Sequence, residues 1–390
     1  MTAAPAMATS APGPGGQAAA LEVESLRVCY GGLPAVDDVS LRVETGQVAA
    51  LIGETSSGKS SLALGVARLL PSSAVVTGRV EIAGTDLAEL PAREARRRRA
   101  SLVGYIAQDA MAALNPVIPV GRQIAELFWV HRGMHRAEAA AQAVRELARV
   151  RIDRPERVAR AYPHQLSGGM RQRVMIAMAM ALSPPLLIAD EPTTALDVST
   201  QAEILGLVGQ LQAETGSGIL WITHDMGVVA ELADVVAVMY AGRIVEQGPA
   251  RDLFDHPMHP YTQGLLRTRR DLRTGRPGAP LYQIEGSPPA LSAQRRGCAF
   301  APRCARRTEV CTGRVPELMT QDHNLQAGNG PSGASPSRPL AAAASPPGSA
   351  SAAGPASNAR QPGPAGAEVL ATGWLAGSWL AACHHPEVLS

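Results

Sequence analysis

Of 36 basic residues, 35 are arginine, and the one lysine, Lys59, sits in GETSSGKS, Gly53 to Ser60. Arginine presents a planar fork of donors, whereas lysine is a compact charge on a flexible stem, so the two are not interchangeable at a tight site. Abundant alanine, 38 Gly and 31 Pro share GC-rich codons with arginine, which explains the general avoidance of lysine but not the exception. The octet fits G-x-x-x-x-G-K-[ST]. Its glycines let the backbone turn N–H groups toward phosphates, and the N-terminus of a following helix adds positive potential. In that chemistry Lys59 neutralises the β/γ-phosphates of a nucleoside triphosphate, Ser60 holds Mg²⁺, and Gly53, Ser57, Gly58 and Ser61 complete the nucleotide-facing set. LLIADEP supplies the acid that such a cradle needs: Asp190 closes an apolar run, hence a strand's carboxyl end, where open α/β sheets bind ligands. Asp190 is expected to hold Mg²⁺, usually through water, and Glu191 to polarise the attacking water as general base.

These groups meet only if particular elements hold them. VAALI must be a buried strand entering the loop, and SLALGVARLL a helix leaving it. LEVESLRVCY and VSLRVETGQVAALIG read as strands, and residues from about 120 to 182 as mostly helical, with helix-compatible spacing in QIAELFWVH and AEAAAQAVRELARV. LLIAD and GILWITHD are short β-rich runs flanking the helix ALDVSTQAEILGLVGQLQAET, as a parallel α/β sheet requires. VVAVMYAGRIVEQG adds a strand and a hairpin-like turn at Ala241-Gly242. The first 20 residues and the Ala/Ser/Pro/Gly tract over 321–372 have the composition of disordered segments.

At 390 residues the chain can bury a sizeable core in two domains, or in one large domain with appendages. A net charge of +2 leaves no polyanion footprint, so no nucleic-acid partner is expected, and the run Arg96 to Arg99 reads as a solvated helix face. The most apolar stretch, Val174 to Ala189, is broken by Ser183-Pro184-Pro185, and spanning a bilayer takes about 20 apolar residues. MTAAPAMATSAPGPGGQ has neither a basic n-region nor an apolar h-region, so a cytoplasmic protein is expected.

LSGGMRQR, Leu166 to Arg173, lies between the phosphate loop and the acidic strand, and with it the chain resembles the ATP-binding cassette (ABC) ATPases. Ser167-Gly168-Gly169 opens a helix, and such an N-terminus presents free N–H groups to an anion. The resemblance implies that this anion is the γ-phosphate held by the other cassette of a dimer, making each site composite. It further implies that Tyr30 stacks on adenine and that Gln108, in YIAQDAMAALNP, senses Mg²⁺ and water and moves with a loop facing the membrane subunit. By the same resemblance Asp197 in ALD lies at the dimer seam, and His224 in ITHD is the switch histidine on the γ-phosphate. NPVIPVGRQIAE, YPHQLSGGMRQR, EPTTALDVSTQAEIL, ITHDMGVVAELADVVAVMYAGRIVEQG and HPMHPYTQGLL look like the ATPase subunits of oligopeptide/dipeptide permeases, a group that includes nickel importers.

Five cysteines, 29, 298, 304, 311 and 383, form an odd, clustered set, which in a cytosolic protein suggests metal or cluster binding before disulfides. Cys298, Cys304, Cys311 and Cys383 are similar to the C-terminal element that in some of these permease ATPases holds a [4Fe–4S] cluster. The spacing suits an iron–sulfur cluster and, less well, zinc; free thiols are the alternative. The last gap departs from the pattern, with 71 residues that include the low-complexity tract. Doubling a flexible loop costs only about 0.6 kcal/mol, against roughly 10 kcal/mol or more gained at a structural metal site, so the gap does not forbid one. Cys29, beside Tyr30, is expected to be buried. For Trp374 and Trp379 three readings stay open: a cap on the cysteine site, a contact with the membrane surface, or a weakly structured tail. A second departure is Thr55-Ser56, where the subfamily usually has Ser-Gly. If that position needs φ > 0, its Cβ costs roughly 1–2 kcal/mol, or about a tenfold loss in nucleotide affinity.

The expected fold is α/β: a P-loop NTPase ABC cassette, with a RecA-like core, an antiparallel β part and a helical subdomain, plus a cysteine-containing C-terminal extension. Its expected parts are a tail (1–20), the ATPase domain (21–250, helical subdomain about 91–182), an oligopeptide-permease-type extension (251–320), a linker (321–372) and a last segment (373–390). The resemblance implies an ATP-hydrolysing, energy-coupling subunit of a di/oligopeptide importer; a nickel or other solute importer, or a degenerate regulatory subunit, is the alternative. It implies a second, paralogous ABC ATPase, two membrane permease subunits and an extracytoplasmic solute-binding protein, with this chain at the cytoplasmic face of the inner membrane. A soluble cassette of DNA repair or translation needs a long coiled-coil insertion or tandem cassettes, whereas 106 residues separate Ser60 from Ser167.

Overall fold

In the computed structural model, residues 19–194, 196–274, 282–290, 296–320 and 379–385 are described. Strands β1 (Ala19–Tyr30) and β2 (Leu33–Glu44) form a hairpin over Gly31-Gly32, whose φ of 55° and 81° are the left-handed values that a two-residue hairpin turn demands. With β4 (Ala74–Ile82) and β5 (Thr85–Asp86) they make an antiparallel sheet in the order β2-β1-β4-β5.

The second sheet is built on β3 (Val48–Ile52), β6 (Val103–Ile106), β7 (Leu186–Asp190), β8 (Gly218–Thr223), β9 (Val235–Tyr240) and β10 (Arg243–Pro249). Two short strands, β11 (Met319–Thr320) and β12 (Leu380–Ala381), complete the order β11-β12-β10-β9-β3-β8-β7-β6. Strands β6, β7, β8, β3 and β9 run parallel. VAALI, LLIAD, GILWIT and VVAVMY are buried at every residue, the texture of strands covered on both faces. The register sets Ile52 beside Thr223, and Asp190 beside Ile222, so the phosphate loop, the acidic pair and His224 leave one edge of the sheet together.

Helices are α1 (Lys59–Val66), α2 (Ala92–Leu102), α3 (Ala110–Ala113), α4 (Val120–Arg132), α5 (Arg136–Arg149), α6 (Pro155–Ala159), α7 (Gly168–Met180) and α8 (Val198–Thr215). They continue with α9 (Met226–Leu232), α10 (Ala250–Asp255), α11 (Pro260–Thr274) and α12 (Glu309–Gly313). One core joins α4, α5 and α7 to the sheet through Phe128, Leu147, Ile176 and Trp221. Another lies between the two sheets, where Leu62 and Val66 of α1 meet Leu26, Val36, Leu51 and Leu220. A third seats α10, α11 and Phe300 against β9 and β10. Burying such a side chain is worth about 1.5–3 kcal/mol, and these three clusters fix the edge from which the loops emerge.

Several expectations change. Within the span 91–182 VGYI adds the strand β6, whose four residues are too short for periodicity to reveal. Cys29 is half-buried rather than buried, since the end of β1 has one open face. Trp379 is buried at 2% exposure beside Met258 and Ala381, whereas Trp374, the first 18 residues and the tract over 321–378 lie outside the described residues. Arg96 to Arg98 are exposed along α2, and Arg99 donates to the Arg68 carbonyl at 2.9 Å.

Candidate functional site

The phosphate loop has two glycines that no other residue can replace. A Cβ on Gly53 (φ 155°) meets the Met239 carbonyl oxygen at 2.2 Å, and one on Gly58 (φ 106°) meets the Ala35 carbonyl oxygen at 2.3 Å. Gly58 is the N-cap of α1, so Lys59 and Ser60 open a helix whose N-terminus faces the loop. Lys59 is 6% exposed; its Nζ donates to the Gly53 carbonyl at 2.8 Å, the Glu54 carbonyl at 3.0 Å and Ser57 Oγ at 3.5 Å. Burial pushes its pKa down, while the charges of Glu191, Asp190 and Glu54 pull the other way. Ser56 has φ 67° and an exposed side chain, so the condition set by the Ser-for-Gly departure is met.

Asp190 ends β7. Ser60 Oγ donates to its Oδ1 at 3.3 Å and the Tyr105 hydroxyl to its Oδ2 at 3.2 Å. Burial raises its pKa, opposed by these two donors. Glu191 leaves the strand at φ 47°, its N–H donating to the Ile222 carbonyl at 2.9 Å. Its carboxylate gathers three groups: Gln108 Nε2 and Thr194 Oγ1, each donating to Oε2 at 3.1 Å, and His224 Nδ1, 3.3 Å from Oε1. The Ser60 hydroxyl and the Asp190 carboxylate thus meet near the Lys59 ammonium, beside a second carboxylate held by Gln108, Thr194 and His224, a set suited to a metal–phosphate group and to proton abstraction from water.

The remaining candidates fall into two groups. Tyr30, at the end of β1, has its hydroxyl 3.5 Å from Ser61 Oγ, next to the loop. Ser167 caps α7, accepting from the Met170 N–H at 3.3 Å, and Gly168 and Gly169 are the helix's first residues. Asp197 caps α8, accepting from the Thr200 N–H at 2.9 Å and from the Ser199 and Thr200 hydroxyls, which hold its carboxyl well below the usual range. A Cβ on Gly169 lies 3.1 Å from Thr200 Cγ2, so these two helix starts are adjacent. Among the described residues no hydrogen bond or ion pair joins them to Lys59, Asp190 or Glu191.

The ABC transporter family pattern matches residues 36–194, and that of the oligopeptide/dipeptide transporter C-terminal region matches residues 245–311. The oligopeptide transport ATP-binding protein OppD of Salmonella typhimurium is 44% identical over 313 residues, covering 79% of this chain and 92% of that protein. OppD of Escherichia coli is 42% identical over 302 residues, covering 76% and 89%. The chain belongs to the ABC transporter ATPases. Among solved structures, this ABC ATPase is similar to the dimeric post-hydrolysis cassette MJ0796 bound to ADP and Pi, with TM-score 0.53 and 27% identity over 59% of this chain and 99% of that one. ATP and Mg²⁺ are the ligands of such a cassette, and no helix among the described residues is long and apolar enough to cross a membrane.

Two residues of the ABC ATPase site were not read from the sequence. Tyr105 stands on the short strand β6, and Thr194 follows the acidic pair by a turn; neither type signals a role until the fold sets it against Asp190 or Glu191. The four C-terminal cysteines line one pocket with His259, His384, His385 and Phe300. Burial raises the thiol pKa of Cys298 and pushes that of Cys383 up to about 11. Among the described residues no group of three or more His, Cys, Asp or Glu side chains is placed to hold a metal ion.

Proposed function

We propose that this chain is the ATP-hydrolysing, energy-coupling subunit of an importer of di- or oligopeptides. The observation that carries the reading is the pair of carboxylates at the loop's edge, Asp190 taken by Ser60 and Glu191 by Gln108, Thr194 and His224. Peptide as cargo is supported by the oligopeptide transport names of the OppD relatives and by the matched C-terminal region.

In this mechanism Lys59 exchanges its carbonyl partners for β/γ-phosphate oxygens, with Gly53, Ser57, Gly58 and Ser61 lining the cradle and Tyr30 against the adenine. Ser60, Asp190 and Gln108 are the groups to hold Mg²⁺, which when bound neutralises phosphate charge. Glu191 takes the proton of the attacking water; Gln108 and Thr194 hold its carboxylate, and His224 reaches the γ-phosphate. Ser167, Gly168, Gly169 and Asp197 face a second ABC ATPase, a paralogue, so that ATP closes the pair and hydrolysis reopens it. Two permease subunits and an extracytoplasmic binding protein complete the system, with this chain at the cytoplasmic face of the inner membrane. The division at about residues 20, 250, 320 and 372 belongs to the same reading. Glu191→Gln tests it: the full chain with its partner should hold ATP in a closed dimer, and normal hydrolysis would remove Glu191 as base.

We further propose that Cys298, Cys304, Cys311 and Cys383, which line one pocket although no three of them stand at ligand positions in this structure, would draw together as ligands of one [4Fe–4S] cluster or of zinc. Such a group, when bound, ties the last segment to the extension and needs thiolates in place of buried thiols. Anaerobic purification without iron, sulfide or zinc above background excludes it.

A further inference from the structure

Glu54, the second residue of the phosphate loop, enters the mechanism above only through the carbonyl that Lys59 leaves, yet its N–H and carboxylate are also held. Its N–H donates to the Tyr261 hydroxyl oxygen at 2.7 Å, and its carbonyl accepts from Lys59 Nζ at 3.0 Å and from the Ser57 N–H at 3.2 Å. Its carboxylate accepts the fork of Arg303, Nη1 to Oε2 at 2.7 Å and Nη2 to Oε1 at 3.1 Å. Every other donor direction of that guanidinium is engaged: Nε donates to the Glu285 carbonyl at 2.8 Å, Nη2 to the Ile284 carbonyl at 3.1 Å and Nη1 to the Tyr240 hydroxyl at 3.4 Å. The Arg303 side chain is 5% exposed and lies 6.0 Å from the Phe300 ring. Tyr240, Tyr261 and Phe300 pack on one another with centroids 4.7 to 5.4 Å apart, a rigid aromatic seat for the pair.

Ser57 and Lys59, which hold the carbonyl, belong to the phosphate loop; Tyr261 and Arg303, which hold the N–H and the carboxylate, do not. Arg303 ends the short helical turn Ala301–Arg303, one residue before Cys304, and Tyr261 is in the first turn of α11. We propose that Arg303 and Tyr261 are positioning residues through which the C-terminal extension sets the nucleotide affinity of the cassette, by fixing Glu54 at both its main-chain N–H and its carboxylate. A bidentate Arg–carboxylate pair fixes orientation as well as distance, and a lysine or a neutral amide cannot reproduce it. Glu54 in turn presents the carbonyl that holds Lys59, so loosening it leaves the loop to be ordered when phosphate binds, a cost that appears in affinity. The inference rests on the reading of Lys59 and its loop as a nucleotide site.

The test compares Glu54→Gln, Arg303→Lys, their double variant and Tyr261→Phe in the full chain, measuring the Kd for Mg-ATP and, with the partner ATPase, kcat at saturating ATP. Each single variant should raise Kd about tenfold, equivalent to ~1.4 kcal/mol, with kcat within about twofold, and the double variant should bind no worse than the poorer of Glu54→Gln and Arg303→Lys. Unchanged Kd, multiplied losses in the double variant, or a fall in kcat at unchanged Kd would each overturn it. Glu54→Gln is nearly isosteric at a partly exposed side chain, so it decides the matter if Arg303→Lys fails to fold. A parent chain that does not bind ATP refutes the nucleotide reading itself, and this inference with it; a parent that binds ATP while the variants match it refutes the inference alone.

Discussion

Ser56→Gly isolates the strain in the phosphate loop. Ser56 holds φ 67°, in the left-handed region where a Cβ costs roughly 1–2 kcal/mol. Its side chain is exposed, so its removal sacrifices no packing. Glycine lifts that cost but gives the unfolded chain about 0.5–1 kcal/mol more conformational entropy to lose, leaving a net gain of about 0.5–1 kcal/mol. If the loop keeps the left-handed turn with and without nucleotide, the gain appears as stability, a rise of about 1–2 °C in the melting temperature of a chain this size. If the free loop escapes the turn and binding reimposes it, the gain appears in affinity, about two- to fivefold in Kd for ATP. Calorimetric melting without nucleotide and titration with Mg-ATP separate the two, and Ser56→Ala, which keeps the Cβ, should change neither. If Ser56→Gly leaves both melting temperature and Kd at parental values, residue 56 is unstrained and the reasoning fails.

Lys59→Arg, the substitution that the composition itself favours, should abolish ATP hydrolysis, because the Nζ lies between two loop carbonyls at 2.8 and 3.0 Å where a planar fork does not fit; near-normal turnover refutes the role. Glu246 is fully buried and accepts from the Met258 and His259 N–H groups, each at 2.9 Å, and from Trp379 Nε1 at 3.1 Å, so Glu246→Gln turns an amide N–H₂ against donors. We expect a loss of about 1–3 kcal/mol and faster hydrogen exchange over residues 379–385; unchanged exchange there excludes Glu246 as their anchor. Asp37 is buried, which raises its pKa, yet Arg243 at 2.8 Å and Arg27 outweigh burial and hold the carboxyl below its usual value. With the folded pKa depressed, its stabilisation is complete above about pH 4 and lost as pH falls through the folded value; Asp37→Asn should therefore flatten the acid limb of the stability curve, and an unchanged limb contradicts the assignment.

What was legible in the sequence is what local chemistry encodes. GETSSGKS needs a strand before it and a helix after it, and both are written in adjacent residues; the Ala241-Gly242 turn, with φ 49° and 87°, is encoded by its own small residues. What stayed hidden depends on partners far along the chain. Arg303 and Glu54 are 249 positions apart, and Trp379 and Glu246 are 133 apart, and nothing in either segment names the other. Strands β11 and β12 have two residues each and exist only because β10 supplies an edge to pair with. Tyr105 lies in a four-residue strand inside an otherwise helical stretch, too short a run for alternation to register.

Adjacent acids at the end of a strand pose a geometric problem, because successive side chains in a strand point to opposite faces. Both proposed roles require the two carboxylates to attend the same phosphate. The backbone resolves this at one residue: Asp190 keeps the strand and meets Ser60 and Tyr105, while Glu191 turns out at φ 47° and meets Gln108, Thr194 and His224. A non-glycine residue in that conformation costs roughly 1–2 kcal/mol. The N–H of Glu191 still finds the Ile222 carbonyl of β8 at 2.9 Å, so an unpaired donor adds nothing to that cost. Glycine adopts this backbone without strain but brings no carboxylate, which is the reason a strained glutamate stands at the position. Ser56 has no such reason visible in its side chain, which is why strain at 56 is open to removal and strain at 191 is not.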